Sequence, residues 1–315
     1  MPYDVPMRIA DQYKPGKTVI SFEIFPPKKE IGAQSLYYAL DELCALKPGF
    51  ISVTCGAGGS AGGAGATAEI AEHIIKECGT EALAHVTCAD MSAGEVETVA
   101  ADLKRRGIEN VLALRGDGGE VKSKKEKVKS ADEAEGPGLR GQGSGNKDVF
   151  FGGGFRYAKD LIVALKKHGF CLGAAGYPEG HISCDSEIDD IAHLKQKQDA
   201  GADFFITQLF FSNDIFYRFL DRARAAGVTR PICAGVMPIL SKSQIERMIF
   251  MCGASLPSPI IKMINRYGDE GDSLVKAGLE YSCAQMQGLY AYGVDGIHIY
   301  TMNKPFIAKY CVERL

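Results

Sequence analysis

A single carboxylate, Glu23, interrupts the apolar run of VISFEIFPPKKE (residues 19–30), and Pro26 and Pro27 follow it at once. The run reads as a β-strand with an ionisable group near its end. Among Phe22, Ile24 and Phe25, desolvation is expected to raise the Glu23 pKa, giving a general acid usable near neutrality. A buried acid paired with a basic neighbour is the purely structural alternative. Polar residues end other apolar runs in the same way: Thr54, His85 with Thr87, Arg115 with Asp117, Tyr177 with Glu179 and His181, Gln208, and Asn303 with Lys304. The RGDG of residues 115–118 places a cation and an anion two residues apart. Gln208 both donates and accepts, which suits the amide edge of a pterin-like ring.

The elements that must carry these residues are legible as alternating segments. Strand candidates are 18–25, 50–56, 83–88, 110–116, 171–177, 203–211, 231–237 and 295–303. They are mostly continuous apolar runs, as expected of parallel strands covered on both faces. Amphipathic segments separate them. Residues 33–47 carry Leu36, Tyr37, Leu40, Leu43 and Leu46 at helical spacing. Residues 92–107 open on Ser92 with Glu95 three positions on, a capping-box signature. Residues 186–201 and 213–227 both close on glycine. The pattern predicts one (β/α)₈ TIM barrel as a single domain over residues 1–315, with extra helices in 254–292 before the last strand. An open doubly wound sheet is the alternative, weakened because no G-x-G-x-x-G follows the first strand. In a barrel, chemistry gathers where strands end and βα loops begin.

Residues 118–154 form a long insert after the fourth strand. Five lysines lie between Lys122 and Lys129, with acidic residues and many glycines after them. The segment lacks the apolar mass for a core and reads as a mobile loop or lid, or as a partner-docking arm.

Composition excludes several classes. The 315 residues are 46% hydrophobic and 24% charged, with a formal net charge of −3, which argues against nucleic acid as the main partner. No apolar run reaches the roughly 18–20 residues of a membrane span, and the N-terminus has no apolar core of a signal peptide. The ten cysteines include no C-x-x-C pair. Cys55, Cys88, Cys171 and Cys233 are expected as buried free thiols in a reducing cytoplasm, and no bound metal is expected.

The motifs SFEIFPPK, SVTCGAGG, HVTC, ALRGD, YPEGH, DAGADFFITQLFF and GVMPI occur in this order. From about residue 18 to 304 the chain resembles the 5,10-methylenetetrahydrofolate reductases. The resemblance implies a barrel with a flavin, FAD or FMN, at its C-terminal mouth. It implies reduction of 5,10-methylenetetrahydrofolate to 5-methyltetrahydrofolate, with NADH or another reductant as electron donor. It makes Glu23 the general acid that opens the folate's five-membered ring, and Asp117 the charge that tunes flavin and pterin. Gln208, Gln244 and Lys304 fall at substrate positions. Thr54, Cys55, Ala57, His85, Arg115, Gly116, Asp117, Tyr157, Ala158, Tyr177, His181, Asp190 and Lys197 fall at flavin positions, with Lys197 set against phosphate charge.

The chain also departs from the family pattern. Cys55 stands where a tyrosine is common, Gln196 where an arginine often precedes the phosphate lysine, Lys304 where an arginine faces substrate, and Met248 where an aromatic often helps hold nicotinamide. With the insert, Met248 leads to an expectation of weak NADH oxidation by the isolated chain. The implied assemblies are a homo-oligomer, or a complex with a zinc-containing subunit as in some anaerobic relatives. A flavin-independent reductase and a folate-binding subunit are the alternative functions.

Overall fold

The computed structural model describes residues 7–27, 33–55, 61–89, 91–116, 155–268 and 271–315. Asp117, Ala57 and the insert 118–154 lie outside the described residues. Strands β1 (Val19–Ile24), β2 (Phe50–Val53), β3 (Glu81–Thr87), β4 (Asn110–Leu114), β5 (Cys171–Gly176), β6 (Phe204–Thr207), β7 (Ile232–Val236) and β8 (Gly296–Tyr300) pair in parallel and close into one barrel in chain order. The helices are α1 (Ala33–Ala45), α2 (Ala61–Cys78), α3 (Ala93–Arg105), α4 (Ala158–Lys166), α5 (Glu187–Ala200), α6 (Asn213–Ala225), α7 (Lys242–Cys252), α8 (Ser258–Tyr267), α9 (Gly271–Tyr292) and α10 (Pro305–Val312). The expected extra helices before the last strand are α8 and α9. The open-sheet alternative is ruled out by the β1–β8 pairing.

Both faces of each strand are covered, which is why the runs are continuous rather than alternating. Phe22, Ile24, Ile51 and Val53 face outward into one apolar layer with Leu36, Leu40 and Leu43 of α1. Each such side chain contributes roughly 1.5–3 kcal/mol on full burial. Inside the barrel, Val19, Phe50, Leu83, Leu112, Cys171, Phe204 and Cys233 fill the lower layer, and Ile9 plugs the bottom from a short 3-10 turn. Gly173 belongs to this packing: a Cβ there would meet the Phe204 ring at 2.7 Å and Leu112 Cδ1 at 2.9 Å.

Strand β3 starts two residues earlier than its apolar run suggests. Glu81 is buried at the bottom, where its carboxylate accepts from Met7 N at 2.7 Å and from Asn110 Nδ2 at 3.1 Å. The capping box at α3 forms as its sequence predicts. Ser92 N donates to Glu95 Oε2 at 2.7 Å, and Glu95 N donates to Ser92 Oγ at 3.3 Å.

All ten cysteines are free. Cys88, Cys171 and Cys233 are buried as expected, but Cys55 is only half-buried, because it lies past the end of β2 at the barrel mouth.

Candidate active site

Strand periodicity aims Ser21 and Glu23 of β1, Ser52 of β2, His85 and Thr87 of β3, and His298 and Tyr300 of β8 into the barrel. Register sets Glu23 beside Ser52 on one side and Tyr300 on the other. The lower layer is apolar; the layer above it is polar and reaches the mouth.

Glu23 is the centre of a hydrogen-bonded cluster. Ser52 Oγ donates to Glu23 Oε2 at 3.3 Å, and His298 Nε2 lies 3.4 Å from the same oxygen. His298 is fully buried, with Nδ1 2.8 Å from Ser21 Oγ and its ring stacked on Phe50 at 5.8 Å. A carboxylate only accepts, so Nε2 of His298 is the donor to it; in a neutral ring, Nδ1 then accepts from the Ser21 hydroxyl. His85 Nε2 stands 3.6 Å from Glu23 Oε2, beyond good hydrogen-bond length.

The electrostatics correct one expectation from sequence. Burial does push the Glu23 pKa up, but hydrogen bonds from His298 and Ser52 and the charge of nearby imidazoles outweigh it, and the carboxyl ends below its ordinary value. His85 is itself driven down to about 4 by burial. It is therefore neutral near pH 7, where its charge does not contribute, and the hydrogen bonds from His298 and Ser52 favour the Glu23 carboxylate. The unliganded site holds Glu23 as a carboxylate.

His85 also links the site to stability. Its ring takes a proton at its ordinary 6.5 when unfolded and at about 4 when folded. Between these values the unfolded chain binds more protons, so stability is full above pH 6.5 and falls as pH drops toward 4. The loss is about 3 kcal/mol at roughly 1.4 kcal/mol per pKa unit. Urea unfolding of His85→Gln at pH 6.5 and pH 4 is expected to show a drop smaller than wild type by about this amount; equal drops would contradict a buried neutral His85.

The cluster opens into a mouth cavity of ≈ 380 Å³, lined by Glu23, Thr54, Cys55, His85, Thr87, Arg115, Gly116, Gln208 and Tyr300 among others. A second cavity of ≈ 410 Å³ is lined by Tyr157, Ala158, Tyr177, His181, Asp190 and Lys197 among others. Leu114, Arg115, Ala175, Tyr177 and His181 line both, so the two form one groove from Glu23 to Lys197. Gly116 makes its bend: φ is +82°, and a Cβ would meet Thr87 Cβ at 2.9 Å. At the far end, Lys197 Nζ donates to Ala175 O at 2.9 Å and lies 5.3 Å from the Tyr177 ring centroid. Burial lowers the Lys197 pKa to about 8, opposed by Asp190. Burial raises the Asp190 carboxyl, opposed first by Lys197.

A family model for methylenetetrahydrofolate reductase matches residues 8–135 and 138–315. The chain belongs to the methylenetetrahydrofolate reductase family. It is 34% identical over 308 residues to the probable methylenetetrahydrofolate reductase (NADH) of Oryza sativa subsp. japonica, covering 94% of this chain and 48% of that protein. It is 32% identical over 290 residues to the 5,10-methylenetetrahydrofolate reductase of Escherichia coli (strain K12), covering 92% and 88%. The chain thus spans about half the length of the rice relative. Among solved structures, it is similar to an uncharacterized protein from Clostridium thermocellum described as binding two copies of 5-methyl-5,6,7,8-tetrahydrofolic acid. The TM-score is 0.57 at 14% identity, over 98% of this chain and 96% of that one. At that identity the likeness is one of fold.

Of the positions assigned by likeness to the reductase family, the groove gathers Glu23, Thr54, Cys55, His85, Arg115, Gly116, Tyr157, Ala158, Tyr177, His181, Asp190, Lys197 and Gln208. Gln208 Oε1 accepts from Leu209 N at 2.9 Å, which fixes its carboxamide at the mouth. Gln244 is not brought there. Its Oε1 accepts from Leu240 N at 2.8 Å and its Nε2 donates to Pro238 O at 3.3 Å, so it serves the start of α7. Lys304 is exposed at the N-cap of α10 and does not line the groove. Met248 packs against the apolar cluster around Ile245 rather than facing the groove. The gain over the sequence reading is Ser21, Ser52, His298 and Tyr300. The signal for His298 was present: GIHIY places a polar residue in an apolar strand just as SFEIF does.

Proposed function

We propose that the chain reduces 5,10-methylenetetrahydrofolate to 5-methyltetrahydrofolate, with a flavin along the groove and Glu23 as general acid. The observation that carries this reading is the continuity of the groove, which joins a buried proton-transfer cluster to a half-buried lysine. The residues fit the cofactor: among the described residues, His85 Nε2 and Thr87 Oγ1 are buried in the mouth without hydrogen-bond partners, as donors or acceptors for a ligand ring would be. Family membership and the names of the rice and Escherichia coli relatives support the reaction. Lys159, His193 and Gln196 line the Lys197 end of the groove as well, an extent that favours FAD over FMN.

When bound, the reduced flavin supplies the hydride. The protein's part is proton delivery and positioning. A pterin filling the mouth displaces water from Glu23 and adds to the burial that already pushes its pKa up. The protonated carboxyl then gives its proton to the departing folate nitrogen and opens the five-membered ring. Ser52 and His298 hold the carboxyl in place and accept the cost of its changing charge. Gln208 supplies amide contacts to the pterin edge. The Tyr300 hydroxyl donates to Thr207 O at 2.8 Å and keeps the wall between β6 and β8 rigid. Asp117 is proposed beside the ring system, by family likeness.

NADH in the rice relative's name supports NADH as donor, against the weak oxidation expected from Met248 and the insert. Stopped-flow reduction of the bound flavin by NADH, with and without residues 120–150, separates a conventional reductase from one served by a partner. A homo-oligomer, or a complex with a zinc-containing subunit, belongs to that second reading. The flavin-independent alternative leaves the Lys197 end of the groove without a ligand.

The test of the cofactor is a pH-dependent affinity. Flavin phosphate favours the charged form of Lys197, whose pKa in the free site is about 8. Affinity is therefore expected to fall by about tenfold between pH 7 and pH 9, as the free lysine loses its proton. Lys197→Met should bind weakly and show no such fall. Fluorescence titration of apoprotein with FAD checks this; pH-independent binding by wild type, or none at all, removes Lys197 from the phosphate.

A further inference from the structure

A second constellation lies on the outer wall of the barrel, between α1 and α2. We propose that Asp41, Cys44, His73 and Cys78 form a structural site for one zinc-class divalent cation. A carboxylate oxygen of Asp41, a ring nitrogen of His73 and the sulfur of Cys78 all lie within 4.8 Å of one another. Cys44 stands beside the three: its thiol is a hydrogen-bond partner of Cys78, and on loading it turns in as the fourth donor. The donors of a tetrahedral zinc centre stand about 3.3–3.8 Å apart, given bond lengths of about 2.0–2.3 Å. Asp41, His73 and Cys78 lie within about 1.5 Å of that spacing, and Cys44 joins them by rotation of its side chain.

Local structure explains the convergence. Asp41 and Cys44 are three residues apart on α1 and share one face. Cys78 is the last residue of α2, before the left-handed Gly79 turns the chain toward β3. Tyr37, one turn before Asp41, packs on the His73 ring at 4.4 Å between centroids and orients it. Asp41 is exposed and the other three are half-buried, so a cation has a path in.

The donor chemistry selects the ion. Two thiolates, an imidazole and a carboxylate suit zinc and exclude the all-oxygen preferences of magnesium and calcium. Loading displaces the thiol protons to solvent, which makes affinity rise with pH. Four protein donors leave no open position, the mark of a structural site. The cluster also sits at the C-terminal ends of α1 and α2, the end of the barrel away from the mouth. It would pin α1 to α2.

Cobalt titration of the reduced holoprotein, without oxygen, tests this directly. Wild type is expected to take up one Co²⁺ per chain, with thiolate charge-transfer and tetrahedral d–d bands that Zn²⁺ abolishes. Cys78→Ser and Cys44→Ser should lose the charge-transfer signal, Asp41→Asn should weaken binding by at least about tenfold, as loss of a ligand does, and Cys184→Ser should leave it unchanged. Zn²⁺ at 100 times its Kd should raise the wild-type Tm by about 5 °C, and that of Cys78→Ser not at all. X-ray absorption of the wild-type zinc protein needs no variant: it should show two sulfurs at about 2.3 Å and two lighter donors near 2.0 Å. No tetrahedral cobalt spectrum in wild type, a band that survives Cys78→Ser, or a sulfur-free zinc shell would overturn the proposal.

Discussion

Glu23→Gln is expected to cut the production of 5-methyltetrahydrofolate by about 10²–10⁴-fold, the usual cost of losing a general acid. The change is isosteric. The Gln side-chain oxygen still accepts from Ser52 Oγ and His298 Nε2, which bond the carboxylate at 3.3 and 3.4 Å. The fold, flavin binding and reduction of the flavin by the donor should therefore be retained, and only the folate half of the cycle should fail. Comparing the two half-reactions separately checks this. A variant that loses both, or neither, removes Glu23 from the role of acid.

His298→Asn should act through Glu23 rather than on substrate. His298 is buried beneath the carboxylate and bridges it to Ser21. Its hydrogen bond is the main influence holding the Glu23 pKa down. Removing it should raise that pKa. A general acid works below its pKa, so the basic limb of the turnover profile should move to higher pH. Turnover at the optimum should fall by about 10–10²-fold from the looser carboxyl, since misplacement by an ångström has costs of this order. A purely structural role would lower activity equally at all pH values, and a pH profile of kcat with unchanged limbs would show that.

The fold was legible because its signals were local and redundant. Eight apolar runs covered on both faces, the Ser92–Glu95 cap and the amphipathic spacing of α1 all agree with the barrel. The start of β3 was less legible, because Glu81 is held by Met7 and Asn110, partners far from it in sequence. The polar rim was legible for the same reason as the strands: a polar residue at a strand end breaks an apolar pattern.

What the pattern lacked was the partner of each group. The apolar neighbours of Glu23 in sequence point outward, to α1 and its layer, whereas its neighbours in space are Ser52, His85 and His298. Local context therefore predicted a raised pKa where cross-strand hydrogen bonds give a lowered one. Gln244 and Lys304 were assigned by family likeness, but local backbone groups occupy the first and the start of α10 exposes the second. Cys44 and Cys78 belong to different helices, so no spacing motif joined them.

The most direct test of the central claim is anaerobic mixing of the photoreduced, flavin-loaded protein with 5,10-methylenetetrahydrofolate. Absorbance and product are followed in wild type and in Glu23→Gln. Wild type is expected to return to the oxidised flavin spectrum with one equivalent of 5-methyltetrahydrofolate, and the variant to stay reduced on the same timescale. A wild-type protein that binds no flavin, or a reduced flavin unchanged by the folate, would contradict that claim.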